Sequence, residues 1–198
     1  KKRYILNVWD SEGVRYEKAK LKIMGIEAIK TSTPAPCRKY LKDAFGLLMS
    51  GTEDEVIEYI QKCREDFFSL PPEEVAFPRS VSQIDKWKSS SDMYNKGCPI
   101  HVRGAILYNH WTRKKDITNK YPAIQSGEKI KFCYLKTPNW MHENVISFIQ
   151  DFPSELDLNK YVDYDVQFNK SFMEPIKVIL DCIGWETERK NTLESFFS

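Results

Sequence analysis

Two helix-start signals separated by a single stop constrain this chain more than any other feature. Thr33-Pro34 opens an apolar series, Cys37, Leu41, Phe45 and Leu48, at helical spacing, with Thr33 placed to cap and Pro34 at the first helical position. The series runs to about Met49, Gly51 ends it, and Thr52-Glu53-Asp54-Glu55 is a capping box. The second helix that follows carries Val56, Ile57, Ile60, Cys63 and Phe67 on one face. With so short a link, two antiparallel helices are the natural outcome.

Around that pair the pattern changes period. Tyr4–Trp9 alternates, Asp10-Ser11-Glu12-Gly13 supplies a turn, and Val14-Arg15-Tyr16 returns, so a hairpin is expected, with Leu21–Met24 as a further strand ending at Gly25. From Leu70 to Lys96 neither period persists, and Pro71-Pro72, Phe77-Pro78 and Ser89-Ser90-Ser91 read as a long loop region. His101–Asn109 reads as a helix. Lys129–Leu135 reads as a half-buried strand with Ile130, Phe132 and Tyr134 inward and Lys129, Lys131 and Cys133 outward, able to pair with Val145–Phe148. The last predicted element is a helix from about Leu158 to Ile183, kinked at Pro175 and terminated by Gly184. The fold class is α+β, mostly helical with small antiparallel sheets.

With 41% hydrophobic and 13% aromatic residues, 198 residues suffice for a buried core. No run approaches the ~18 apolar residues of a membrane span. Cys37, Cys63, Cys98, Cys133 and Cys182 are odd in number and widely spaced, which predicts reduced thiols in a cytosolic setting. Cys98-Pro99-Ile100-His101 is half of a zinc site without a second pair, so no metal is assigned. The first residue is not Met, and the chain reads as a piece of something longer.

The net charge of +2 hides an alternation. Residues 1–42 carry 11 Lys and Arg against 4 Asp and Glu, and 93–142 carry 9 against 2, whereas 43–92 and 143–198 each carry 5 against 11. Two basic blocks converging on one surface would form a polyanion-binding face. Chance clustering is the alternative. The first block opens with Lys1-Lys2-Arg3-Tyr4 at a strand start, where Lys2 and Tyr4 share a face. That suits a nucleic-acid backbone, and equally a solvated strand end.

Taken together, Lys1-Lys2-Arg3-Tyr4, Met24-Gly25-Ile26-Glu27, Lys30-Thr31-Ser32-Thr33-Pro34, His101-Val102-Arg103-Gly104, Gly127-Glu128-Lys129 and the Phe196-Phe197 tail resemble the replicative family B DNA polymerases of T4-like bacteriophages. The resemblance runs over essentially the whole chain and matches that family's C-terminal portion. It implies three regions: palm C-terminal strands at 1–29, a thumb domain at 30–190 and a clamp-binding tail at 191–198. By resemblance, Lys1, Lys2, Arg3 and Tyr4 lie against the primer–template duplex. Lys30, Thr31 and Ser32 meet its backbone at a helix entrance, where free N–H groups suit phosphate. His101, Arg103 and Gly104 form another duplex-facing stretch, Gly for close approach and Arg to fork onto phosphate. For Arg103 the alternative is a pair with an acidic residue. Ser80 to Gly97 departs from the family's pattern, so Lys86, Lys88 and Lys96 are not assigned to DNA.

The tail resembles peptides that dock a sliding clamp, with Leu193, Phe196 and Phe197 as apolar plugs, although the usual leading Gln is missing. Each plug contributes roughly 1.5–3 kcal/mol before the cost of ordering the tail, so micromolar affinity is expected. The family's Mg²⁺ ions are held by aspartates upstream of Lys1, so the cofactor belongs to the complete polymerase. Tyr161-Val162-Asp163-Tyr164-Asp165 imitates a polymerase metal motif but leads straight into a helix. The chain is therefore expected to be inactive alone and to need the palm fragment as partner, as a split-gene product or an excised domain, in the cytoplasm of the infected bacterial host. The split is favoured, because palm strands alone would have open edges. A non-catalytic, clamp-tethered DNA-binding accessory is the alternative.

Overall fold

In chain order the elements are β1 (Tyr4–Ser11), β2 (Val14–Met24), α1 (Ala35–Ser50), α2 (Glu53–Ser69), α3 (Pro72–Val75), β3 (Phe77–Ser80), α4 (Ile84–Trp87), α5 (Ile100–Lys114), β4 (Lys129–Tyr134), β5 (Val145–Phe148), α6 (Tyr164–Phe168) and α7 (Glu174–Ile183). They come from a computed structural model that describes residues 4–189. The class is α+β, with small antiparallel sheets. The described residues divide into two units, one of residues 4–30, 36–69 and 169–189, the other of residues 31–35 and 70–168. No described helix is long and apolar enough to cross a membrane.

In the first unit β1 and β2 form one long hairpin, paired from Tyr4↔Met24 to Ser11↔Val14, with a register shift between Val8 and Asp10. Glu12 and Gly13 both have positive φ (54° and 82°), the geometry of a two-residue turn matched to strand twist. Leu21–Met24 is thus not a separate strand. Nothing between Tyr16 and Leu21 breaks the chain, and pairing with β1 carries β2 straight through. α1 and α2 run antiparallel: Tyr40 in α1 donates to Asp66 near the end of α2, and Tyr59 to Asp43 at 3.2 Å. The capping box forms as read, with the Thr52 N–H on Glu55 Oε2 at 2.7 Å and the Glu55 N–H on Thr52 Oγ1 at 3.4 Å. Cys37, Leu41 and Phe45 of α1 and the whole predicted face of α2 are buried. α1 itself starts at Ala35, one residue later than read.

The helix expected over 158–183 is not one piece. Residues 161–163 pair instead with the end of β4: the Lys136 N–H reaches the Tyr161 carbonyl at 2.6 Å, and the Asp163 N–H reaches the Tyr134 carbonyl at 2.9 Å. Asp163 Oδ1 then accepts from the Val166 N–H at 3.1 Å and caps α6. After α6 the helix widens into a π turn, Asn169–Met173, immediately before Pro175. Pro175 has no N–H for the carbonyl four residues back, so the irregularity sits in the turn it would have closed. Phe172, Ile176 and Leu180 are buried, Phe172 edge-on to Tyr40 at 6.1 Å. Gly184, at φ +75°, ends α7.

The second unit is a three-stranded sheet ordered β3-β4-β5, antiparallel throughout. The stretch read as a long loop contains α3, β3 and α4. Pro72 sits in the first turn of α3, and Pro78 falls on an edge strand, where a missing N–H is tolerated. α5 extends to Lys114 and covers the face that carries Phe132 and Ser147. On the other face Cys133 approaches the Pro72 carbonyl at 3.6 Å. Cys133 is therefore fully buried rather than outward, and every residue of β5 is buried.

All five cysteines are free. Burial pushes the thiols of Cys37 up to about 12 and Cys63 up to about 11, and raises that of Cys133. Thiolate is the reactive form, so a raised pKa and burial act together. In the folded chain at pH 8 a thiol reagent should modify Cys182 first and half-buried Cys98 more slowly. Cys37, Cys63 and Cys133 should react only with unfolding, as peptide mass mapping along a urea series would show.

Candidate nucleic-acid interface

α5 carries the second predicted cationic stretch, and one close approach sets its position. A methyl group built on Gly104 would lie 2.4 Å from Ser147 Oγ and 2.8 Å from the Ser147 backbone nitrogen. Only a hydrogen at that position lets α5 settle onto β5. Ser147 Oγ also donates to the His101 carbonyl at 2.8 Å, which ties the helix's first turn to the strand. The close approach that Gly104 permits is thus to β5. Gly104 is buried, and the space beside it on this side is filled by the strand.

His101 and Arg103 leave that first turn in different surroundings. Arg103 lies 5.5 Å over the Tyr94 ring, donates to Asn144 Oδ1, and brings Nε to 3.9 Å from Glu143. Tyr94 donates to the same Glu143 carboxylate at 2.6 Å, and burial followed by this bond raises the Tyr94 pKa. Of the Arg103 side chain 23% is exposed, and of the Glu143 side chain 18%, so an acidic residue does stand beside Arg103. His101 instead sits 6.3 Å from Phe132 and close to Arg79, and burial first, then the Arg79 charge, lower its pKa.

Arg79 was not among the sequence-predicted residues. It projects from edge strand β3, with its guanidinium carbon 5.9 Å from Phe77 and 5.8 Å from Phe132. Its Nη1 donates to the Ser32 carbonyl at 2.7 Å and the Pro78 carbonyl at 2.8 Å. Ser32 is half-buried and Thr31 exposed, next to buried Thr33 and Pro34. Arg79 thus links two segments that were read independently: the 31–34 turn and the start of α5. The missed signal was Phe77-Pro78-Arg79, a short alternation hidden by its proline.

In the first unit, Lys30 is exposed and pairs with Glu27, a contact of little energetic weight at a surface. Tyr4 is half-buried at the start of β1. With Ile5, Ile26, Leu48, Met49 and Pro175 it lines an apolar cavity of about 440 Å³. Lys1, Lys2, Arg3, Leu193, Phe196 and Phe197 lie outside the described residues.

No family model matches the chain. Against curated proteins, all of it aligns with the DNA-directed DNA polymerase of Escherichia phage RB69, 33% identical over 202 residues, and with that of Enterobacteria phage T4, 27% identical over 201 residues. Over its whole length the chain is similar to part of each of these two phage DNA-directed DNA polymerases. It spans 22% of the length of each of these relatives. In the Tyr161–Asp165 stretch, which imitates a metal motif, the two aspartates have separate surroundings. Asp163 is committed to capping α6, Asp165 is exposed on that helix, and no group of three ligating side chains converges among the described residues.

Gly104→Ala should destabilise the unit by about 1–3 kcal/mol, the cost typical of forcing an extra carbon into a packed contact. Urea unfolding of the chain, followed by the tryptophans of this unit, would show a lower midpoint with unchanged slope. An unchanged midpoint would mean that α5 can rise off β5 at no cost.

Proposed function

We propose that this chain is the thumb portion of a replicative family B DNA polymerase, preceded by the last palm strands at 1–29 and followed by the clamp-binding tail at 191–198. The observation that carries the reading is the end-to-end alignment with two phage DNA polymerases. Its work is to hold the primer–template duplex behind a catalytic centre contributed by the palm fragment, and to tether the enzyme to a sliding clamp through Leu193, Phe196 and Phe197. Lys1, Lys2, Arg3 and Tyr4 face the primer–template, and Lys30, Thr31, Ser32, His101 and Arg103 face the duplex backbone. The complete enzyme acts in the cytoplasm of the infected bacterial host and takes its Mg²⁺ on aspartates of the palm fragment, where the two ions would activate the primer hydroxyl and the leaving phosphate.

Phosphate contacts give affinity without sequence preference, and each releases condensed counterions. With ~5 such contacts, a plot of log affinity for a DNA duplex against log salt should fall with a slope near −4.5, the same for unrelated sequences. A flat response would remove DNA from the account. Adding the chain to a palm-containing fragment should restore primer extension, and failure to form any complex would count against an assembled enzyme. Lys2→Ala with Tyr4→Phe should weaken primer–template binding and spare clamp binding, and Phe196→Ala with Phe197→Ala should do the reverse.

Glu143 lies 3.9 Å from Arg103 Nε and accepts the Tyr94 hydroxyl, so a phosphate at Arg103 must compete with its charge. Glu143→Gln keeps the hydrogen-bonding shape and removes the competing charge. It should strengthen duplex binding several-fold at low salt while lowering the stability of the free chain by about 1–3 kcal/mol, the worth of a hydrogen bond to a charged group. Unchanged affinity in filter-binding titrations would take Arg103 out of the duplex contacts.

A further inference from the structure

Arg103 is answered by Glu143, Lys120 by Glu155, and Arg189 by Asp54 and Glu58. Arg79 has no carboxylate partner among the described residues. It is half-buried and interacts electrostatically with Tyr134 and with His101, itself a potential cation. Burial lowers the Arg79 pKa, and burial with the Arg79 charge lowers that of His101. Both groups lie against the Phe132 ring. An anion beside them would favour the charged form of each.

The geometry leaves room for the anion. Nη1 is fixed by the Ser32 and Pro78 carbonyls, which set the plane of the guanidinium. Nε and Nη2 have no hydrogen-bond partner among the described residues, and neither is an enclosed, unsatisfied atom. That edge of a guanidinium is one that forks onto a phosphate. His101 stands beside it on the first turn of α5, which has no acidic residue and no side-chain cap.

We propose that Arg79 and His101, with the Thr31–Ser32 turn that Arg79 braces, form a subsite for a single backbone phosphate of the duplex. This rests on the DNA-holding reading above and assigns to it a residue outside the resemblance. Arg79 is the fork. His101 is a second donor that takes up a proton as the phosphate arrives, because the anion favours imidazolium where Arg79 had opposed it. Ser32 is positioned through its carbonyl rather than through its hydroxyl.

The test uses the full 198-residue chain, a short blunt duplex of arbitrary sequence, and two readouts: affinity as a function of salt and pH, and the His101 titration followed by NMR. Arg79→Gln should weaken binding about ten-fold or more, as expected for a lost charged hydrogen bond, and make the salt slope shallower by about 0.9. Arg79→Lys should restore the slope but not the affinity, because a lysine keeps the charge without the fork. In the unmodified chain the His101 pKa should rise when duplex is added, so affinity should fall as pH rises through the interval between its free and bound values. His101→Gln should abolish that pH dependence, and it decides the matter should Arg79→Gln fail to fold. Wild-type affinity and salt slope in both glutamine variants, in a chain that still binds duplex with steep salt dependence, would overturn the subsite and leave the DNA reading standing. A flat salt response in the unmodified chain would remove both.

Discussion

The contact between Gly104 and Ser147 governs the rest of the second unit. A helix can lie this close to a strand only where one residue has no side chain, and the Ser147 hydroxyl fastens the same turn through the His101 carbonyl. Because α5 is fixed there, the starting points of the 101 and 103 side chains are set as well. One of them meets Arg79 at the sheet edge, and the other meets Glu143 beyond the end of β4. The glycine sets where both side chains begin.

Charge is managed in two opposite ways within a few residues. Arg103 has a carboxylate, Glu143, 3.9 Å from its Nε, and its Nη2 donates to Asn144, while Tyr94 donates to Glu143. Arg79 is held by two carbonyls and two aromatic rings, which fix its orientation and leave its charge unbalanced. A carboxylate stabilises the free protein and must be displaced before phosphate can bind. Neutral acceptors impose no such competition, so the cation that is less comfortable in isolation is the better prepared one.

The sheet explains why the stretch before α5 looked unstructured. β3 is four residues long with a proline at its second position, and α3 and α4 are single turns. None of the three is stable by its own propensity. They exist because Phe77 stacks on Phe132, with ring centroids 5.3 Å apart, and because Cys133 and Lys131 of β4 reach the α3 backbone. The same tertiary preference breaks the predicted 158–183 helix. Pairing of residues 161–163 with the strand end satisfies backbone groups that a helix would have satisfied internally, and Asp163 then restarts the helix as a cap.

What the sequence determined by itself was whatever depends on near neighbours: the hairpin turn at Glu12-Gly13, the capping box at Thr52–Glu55, the buried faces of α1 and α2, the pairing of β4 with β5, and the stop at Gly184. Each is written in residues a few positions apart, where spacing alone fixes the geometry. Only the tertiary structure decided that Cys133 faces inward, that Gly104 packs on β5, that Arg103 lies beside Glu143 and that Arg79 has no carboxylate partner among the described residues. Those outcomes depend on which distant segment covers a face or supplies a carboxylate. Arg79 and Glu143 stand 24 residues before and 40 after Arg103, and local periodicity carries no information over such separations.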